Sequence, residues 1–111
     1  MYGLARLDDK GRVADHAIVR AMGWLPGVRL DIREAGGVIL VRVSGQGVFT
    51  VTGQGHVRLP ATVRRWCHLE PGDRVLLTAE PAEGLLVVHP PAALDTMLTR
   101  FHEQALGGDL A

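Results

Sequence analysis

Between Val51 and Leu69 the chain carries Arg58, Arg64 and Arg65, with His56 beside them, and no acidic residue. A guanidinium is a planar, permanently charged fork of donors that matches phosphate or carboxylate oxygens two at a time. Three of them in a short stretch without carboxylates suit contact with an anion. A solvated helix face is the competing explanation, because charge runs usually are one. The rest of the chain balances this stretch: 12 basic and 12 acidic residues give a formal net charge of +0. That excludes a globally basic binder but leaves room for a local basic patch. All of the basic residues except Lys10 are arginines.

Other chemistries find less support. Cys67-His68 with His56 matches no zinc spacing. His16, His89 and His102 are scattered and read as surface or boundary residues. Asp73, directly after Pro71-Gly72, reads as a turn cap. There is no Ser/His/Asp or paired-carboxylate arrangement and no phosphate-cradling Gly-rich motif ending in Lys. No enzyme activity, metal or cofactor is therefore expected. The single cysteine, Cys67, rules out an intrachain disulfide and fits a reducing compartment, so a cytoplasmic protein is expected. Arg6, Asp8, Asp9 and Lys10 interrupt any early apolar run of a signal peptide, and no segment approaches a membrane span.

Hydrophobic residues make up 47% of the 111 and aromatics only 5%, which implies one small domain with an aliphatic core. The elements that must position the arginines occur twice. Pro26-Gly27-Val28-Arg29 returns as Pro71-Gly72-Asp73-Arg74, and Gly37-Val38-Ile39-Leu40-Val41 as Gly84-Leu85-Leu86-Val87-Val88. Gly3, Leu4, Leu7, Gly11 and Val13 return as Gly47, Val48, Val51, Gly55 and Val57. The spacing predicts a first repeat over residues 1–43, a second over 45–90 and a tail over 91–107. Each repeat reads as a strand (Leu4–Leu7, Val48–Val51), a Gly turn, a second strand (Arg12–Ala14, His56–Leu59) and a short helix (His16–Met22, Ala61–Cys67). A Pro-Gly turn and a hairpin follow (Arg29–Arg33 with Val38–Arg42, Arg74–Ala79 with Leu85–His89). Trp24 and Trp66 read as core or rim packing rather than base-stacking platforms. A unit of about 45 residues can hardly bury enough apolar surface to fold alone, so the two copies are expected to share one core.

Gly-X-Val-X-Leu-Pro, a short helix and Leu-X-Pro-Gly-Asp-X-Val, here Gly55, Val57, Leu59, Pro60, Leu69, Pro71, Gly72, Asp73 and Val75, resembles the AbrB/MazE/SpoVT swapped-hairpin family. The first copy keeps Gly11, Arg12, Val13, Ala21, Met22, Gly23, Pro26 and Gly27, and departs from the pattern at Asp15, where Pro is expected. The resemblance implies a mainly β fold with short helices. In it both copies would interlace as a single-chain, pseudo-dimeric swapped-hairpin β-barrel, followed by a C-terminal amphipathic helix. It also implies binding to double-stranded DNA through basic residues on the early strands, the loop before Gly-X-Val and the short helix. Carried over, those are His56, Arg58, Arg64 and Arg65 in the second copy and Arg6, Lys10, Arg12 and Arg20 in the first. Asp8, Asp9 and Asp15 would repel phosphate, so the second half is expected to carry most of the contact.

In the tail, Leu94, Met97, Leu98, Phe101 and Ala105 follow helical spacing on one face. The face would either cap the barrel or serve as an interface for a second copy or another protein, through Leu94, Met97, Leu98 and Phe101. The expected function is a transcription regulator acting by promoter occupancy, nucleoid-associated when bound to DNA. The alternative is an antitoxin-like or adaptor module that grips a partner with the tail helix.

Overall fold

The computed structural model describes residues 1–110, with side chains through Gly107. In chain order the elements are β1 (Tyr2–Arg6), β2 (Arg12–Val13), α1 (His16–Ala21), β3 (Arg29–Ala35), β4 (Val38–Val43), β5 (Phe49–Thr50), β6 (Val57–Arg58), α2 (Ala61–Trp66), β7 (Arg74–Glu80), β8 (Leu85–His89) and α3 (Pro91–Leu110). A single 3-10 turn at Pro81–Glu83 joins β7 to β8. The fold is mainly β with short helices. Period-two patterning sets the strands: β7 buries Val75, Leu77 and Ala79, and β8 buries Leu86 and Val88. Asp15 caps α1 by accepting from the backbone N of Ile18 at 3.0 Å.

The two repeats trade strands. Six strands form one antiparallel sheet in the order β1-β7-β8-β4-β3-β5, and β2 pairs with β6. β1, from the first repeat, therefore pairs with the second repeat's β7, and β5 with the first repeat's β3. Ala5 faces Val75 and Phe49 faces Leu30, equivalent pairs in the two halves. Reversing the halves maps the strand order onto itself, so a pseudo-two-fold axis relates them. It runs between Val13 and Val57, which face each other in β2–β6, and between Leu40 and Val87, which face each other in β4–β8. Ala14 N donates to Arg6 O and Asp8 N to Arg12 O, which joins β1 to β2. Thr52 N donates to His56 O and joins β5 to β6. The backbone pairing thus runs round from the six-stranded sheet through the β2–β6 ribbon.

Both halves fill one core. Val13, Leu30, Ile39 and Val41 from the first and Val57, Leu59, Val75, Leu77, Leu86 and Val88 from the second are all 0% exposed. Among the described residues no polar or charged residue is buried. Each large apolar side chain of this kind contributes about 1.5–3 kcal/mol.

The halves differ at the helices. α1 buries Ile18 and Val19, whereas α2 buries none of its residues. Where α1 has Val19, α2 has the half-buried Arg64. Where Gly23 (φ +74°) ends α1, His68 (φ +54°) ends α2, a left-handed conformation that strains a residue with a Cβ. The two tryptophans occupy non-equivalent positions. Trp24 aligns with Leu69, and both are buried, while Trp66 aligns with Ala21 and is 71% exposed, so core or rim packing does not hold for Trp66.

α3 does not cap the sheet. Leu94 is half-buried at its start, but Met97, Leu98 and Phe101 are exposed. It also runs through Gly107-Gly108 to Leu110 rather than ending there. No helix among the described residues is long and apolar enough to cross a membrane.

Two outcomes follow from this architecture. Expressed apart, residues 1–44 and 45–111 should show no cooperative thermal transition while monomeric, since each lacks the strand that completes its sheet. A sharp monomeric melt of either fragment contradicts the shared core; dimerisation of a fragment does not. Second, His68→Gly should raise stability by about 1 kcal/mol in urea titration, because glycine occupies the left-handed region without strain.

Candidate nucleic-acid interface

The β2–β6 ribbon gathers basic residues of both halves. Arg12 and Arg58 stand directly opposite each other. Like charges so placed repel, and the surroundings offset this. Arg12 Nε lies 2.6 Å from Asp8 Oδ2, and Arg12 Nη1 donates to Gln54 Oε1 at 3.0 Å. Asp8 Oδ1 also accepts from the backbone N of Lys10 (2.9 Å) and of Arg12 (2.8 Å). Burial acts to raise the Asp8 carboxyl, but these hydrogen bonds and the Arg12 charge outweigh it and hold the carboxyl below its usual range. Asp8 is thus spent on shaping the β1–β2 turn and neutralising Arg12. Asp15 is spent on capping α1. Neither is the free acid that the sequence suggests; Asp9 stays exposed on the turn.

The second-half arginines are anchored from beneath. Arg58 Nε donates to Lys10 O at 2.8 Å, so the second repeat's arginine fixes the first repeat's turn. Arg64 Nε donates to Leu59 O at 3.0 Å. The Arg64 side chain lies against Gly11, whose φ is +80° and where a Cβ would come 2.6 Å from Arg64 Nε. The left-handed backbone favours glycine there, and a Cβ would displace the Arg64 side chain. The Nη nitrogens of Arg58 and Arg64 find no acceptor among the described residues. Arg65 and Arg20, at equivalent positions in the last turns of α2 and α1, are exposed, as are Arg6 and Lys10.

His56 packs against His16 with ring centroids 4.1 Å apart and the ring planes tilted by 46°. Burial first, then the neighbouring His16 and Arg12 charges, push His56 below its ordinary value, against a weaker upward pull from Asp8. Burial lowers His89 as well. The Nδ1 atoms of both rings are buried without a partner. Burial raises the Cys67 thiol, with Glu34 adding to the rise.

Comparison with family models, with curated proteins and with solved structures finds no match to the chain. What the site can do therefore rests on its own geometry. The expected site residues fall into four groups. Lys10, Arg12, His56, Arg58 and Arg64 meet on or beside the ribbon, Arg20 and Arg65 lie on the two short helices, and Arg6 lies on β1. Leu94, Met97, Leu98 and Phe101 are on α3, away from the ribbon in sequence and element. Gln54 and Arg74 are the polar residues missed from the sequence. Gln54 matters only through Arg12 of the other repeat, and Arg74 only through its cross-repeat register, neither of which periodicity reveals.

Two measurements check this geometry. Below the ordinary histidine value near 6.5, the unfolded chain binds protons that folded His56 and His89 refuse. Stability is therefore expected to fall as pH drops through that value, and His56→Gln with His89→Gln to flatten the dependence of Tm between pH 7 and 5.5. Gly11→Ala should cost more than about 1 kcal/mol, by forcing a left-handed alanine and displacing Arg64; an unchanged urea midpoint contradicts that packing.

Proposed function

We propose that the chain is a double-stranded DNA-binding regulator of the AbrB/MazE/SpoVT kind, with both half-units in one chain, acting by occupying promoter DNA. The observation that carries this reading is the β2–β6 ribbon. Lys10 and Arg12 from one half and Arg58 and Arg64 from the other converge there, and among the described residues Asp8 is the carboxylate that pairs with one of them. A basic ribbon whose Arg58 and Arg64 are held by backbone carbonyls suits phosphate contact and, through bidentate arginine, guanine edges. The exchange of β1 and β5 between the halves supports the family reading as well. A cytoplasmic, nucleoid-associated location goes with it.

The same features refine how the halves share the work. The ribbon is a joint product of both repeats, while α2, less buried than α1, offers the more accessible helix. A second reading, a protein-interaction module without strong DNA binding, is favoured by the exposed α3 face, where Met97 is 47%, Leu98 54% and Phe101 65% exposed.

Fluorescence anisotropy with a generic duplex at two salt concentrations tests the proposal. Wild-type protein should bind with strong salt dependence, and Arg58→Ala should flatten the slope of log affinity against log salt by about 0.9. Arg65→Ala should weaken binding more than Arg20→Ala; these are exposed, equivalent positions whose replacement leaves the core intact. Arg64→Ala is a poor probe because it also removes the Leu59 anchor. No duplex binding at low salt overturns the DNA reading in favour of the interaction module.

A further inference from the structure

A pair of arginines lies outside the ribbon: Arg6, expected from the sequence to contact DNA, and Arg74, to which the sequence assigns nothing. Arg6 of β1 and Arg74 of β7 face each other directly in register, one from each repeat, and both are exposed. Directly opposed strand residues hold their Cβ atoms roughly 4.5–5.5 Å apart, so two guanidinium stems start side by side and repel. No carboxylate relieves them: the ion pairs among the described residues are Arg12–Asp8 and Arg33–Asp31. The two arginines border a hollow of about 380 Å³, whose other walls are Leu4, Ala5 and Ala14. Ala14 lies beside Arg6 because its N donates to Arg6 O at 3.1 Å. Its methyl group is too short to fill the space between the strands.

The hollow has a counterpart across the pseudo-two-fold axis. Leu4, Ala5, Arg6 and Ala14 correspond to Val48, Phe49, Thr50 and Arg58 of the second half. Those four residues, with Thr52, Pro60, Ala61 and Arg64, line a hollow of about 400 Å³. Each hollow therefore holds two arginines and no acid, although the arginines come from different positions in the fold. In the second hollow Arg58 and Arg64 are fixed by carbonyl acceptors. In the first, no acceptor among the described residues holds either guanidinium group of the opposed pair.

We propose that the hollow between Arg6 and Arg74 is an oxyanion site that takes a phosphate group, forming with the Arg58–Arg64 hollow a pair of phosphate subsites about the pseudo-two-fold axis. A tetrahedral dianion or a phosphodiester between two guanidinium groups accepts charge-assisted hydrogen bonds from both and cancels their repulsion. The DNA-binding reading enters only as the source of the phosphate; a free small phosphate has the same chemistry.

The experiment follows the arginine Nε–Hε signals of the full chain by NMR in two titrations, one with inorganic phosphate and one with a generic DNA duplex. It is repeated on Arg74→Gln, an exposed substitution that removes one member of the pair. The Arg6 and Arg74 signals should move in both titrations. Arg74→Gln should abolish the Arg6 response to phosphate, raise Tm in phosphate-free buffer by relieving the repulsion, and flatten the duplex salt slope by about 0.9. Movement with inorganic phosphate but not with duplex supports the oxyanion site and assigns it a small-molecule ligand. Movement with neither overturns the proposal. If the wild type then still binds duplex and Arg74→Gln binds it with an unchanged slope, the ribbon reading stands without this site.

Discussion

Val13 and Val57 face each other across the pseudo-two-fold axis, both fully buried, and neither repeat can supply both. A unit of about 45 residues has too little interior to cover its own apolar sheet face. Exchanging β1 and β5 solves this by making each repeat's sheet depend on a strand of the other. The rest of the structure follows from that dependence. The two hairpins meet along β4 and β8, the core is continuous, and the turns before β2 and β6 are drawn to one ribbon. Arg58 can hold the carbonyl of Lys10, and Gln54 the guanidinium of Arg12, only because the halves interlock.

With both units in one chain, a substitution in one does not appear on the other side of the axis, and the two can differ. The divergence is concentrated around the short helices. Val19 anchors α1 in the core, but its equivalent Arg64 turns back over Gly11, leaving α2 a shallower, more basic element. Asp15 caps α1, whereas Pro60 starts α2 without a side-chain cap. β1 pairs with its partner strand over five residues and β5 over two, where Gly47 runs too close to the Leu30 backbone for a Cβ. The first half is thus the more firmly embedded, and α2 is the less buried of the two short helices.

Much of this was legible in the sequence. Alternation in Val75–Ala79 and Leu85–His89, and the turn glycines at Gly36-Gly37, define the hairpins because one face of each strand must be apolar and one turn must reverse the chain. The repeat gives the number of elements, and the class, mainly β with short helices, agrees with the structure. Three things were not legible. Helical spacing in α3 identifies an apolar face but not what covers it, and Met97, Leu98 and Phe101 stay exposed. Asp8 and Asp15 look like free charges until hydrogen bonds to Arg12, Lys10 and Ile18 occupy them. The opposition of Arg6 and Arg74 depends on register between strands of different repeats, which no local pattern encodes.

Strand exchange within one chain underlies both the shared core and the joint ribbon, and cross-strand nuclear Overhauser effects measure it directly. In a monomeric sample, backbone contacts should connect Ala5 with Val75 and Phe49 with Leu30. Contacts that instead connect Ala5 with Leu30 and Phe49 with Val75 would mean that each repeat closes on its own hairpin, and would contradict the shared core and the joint ribbon together.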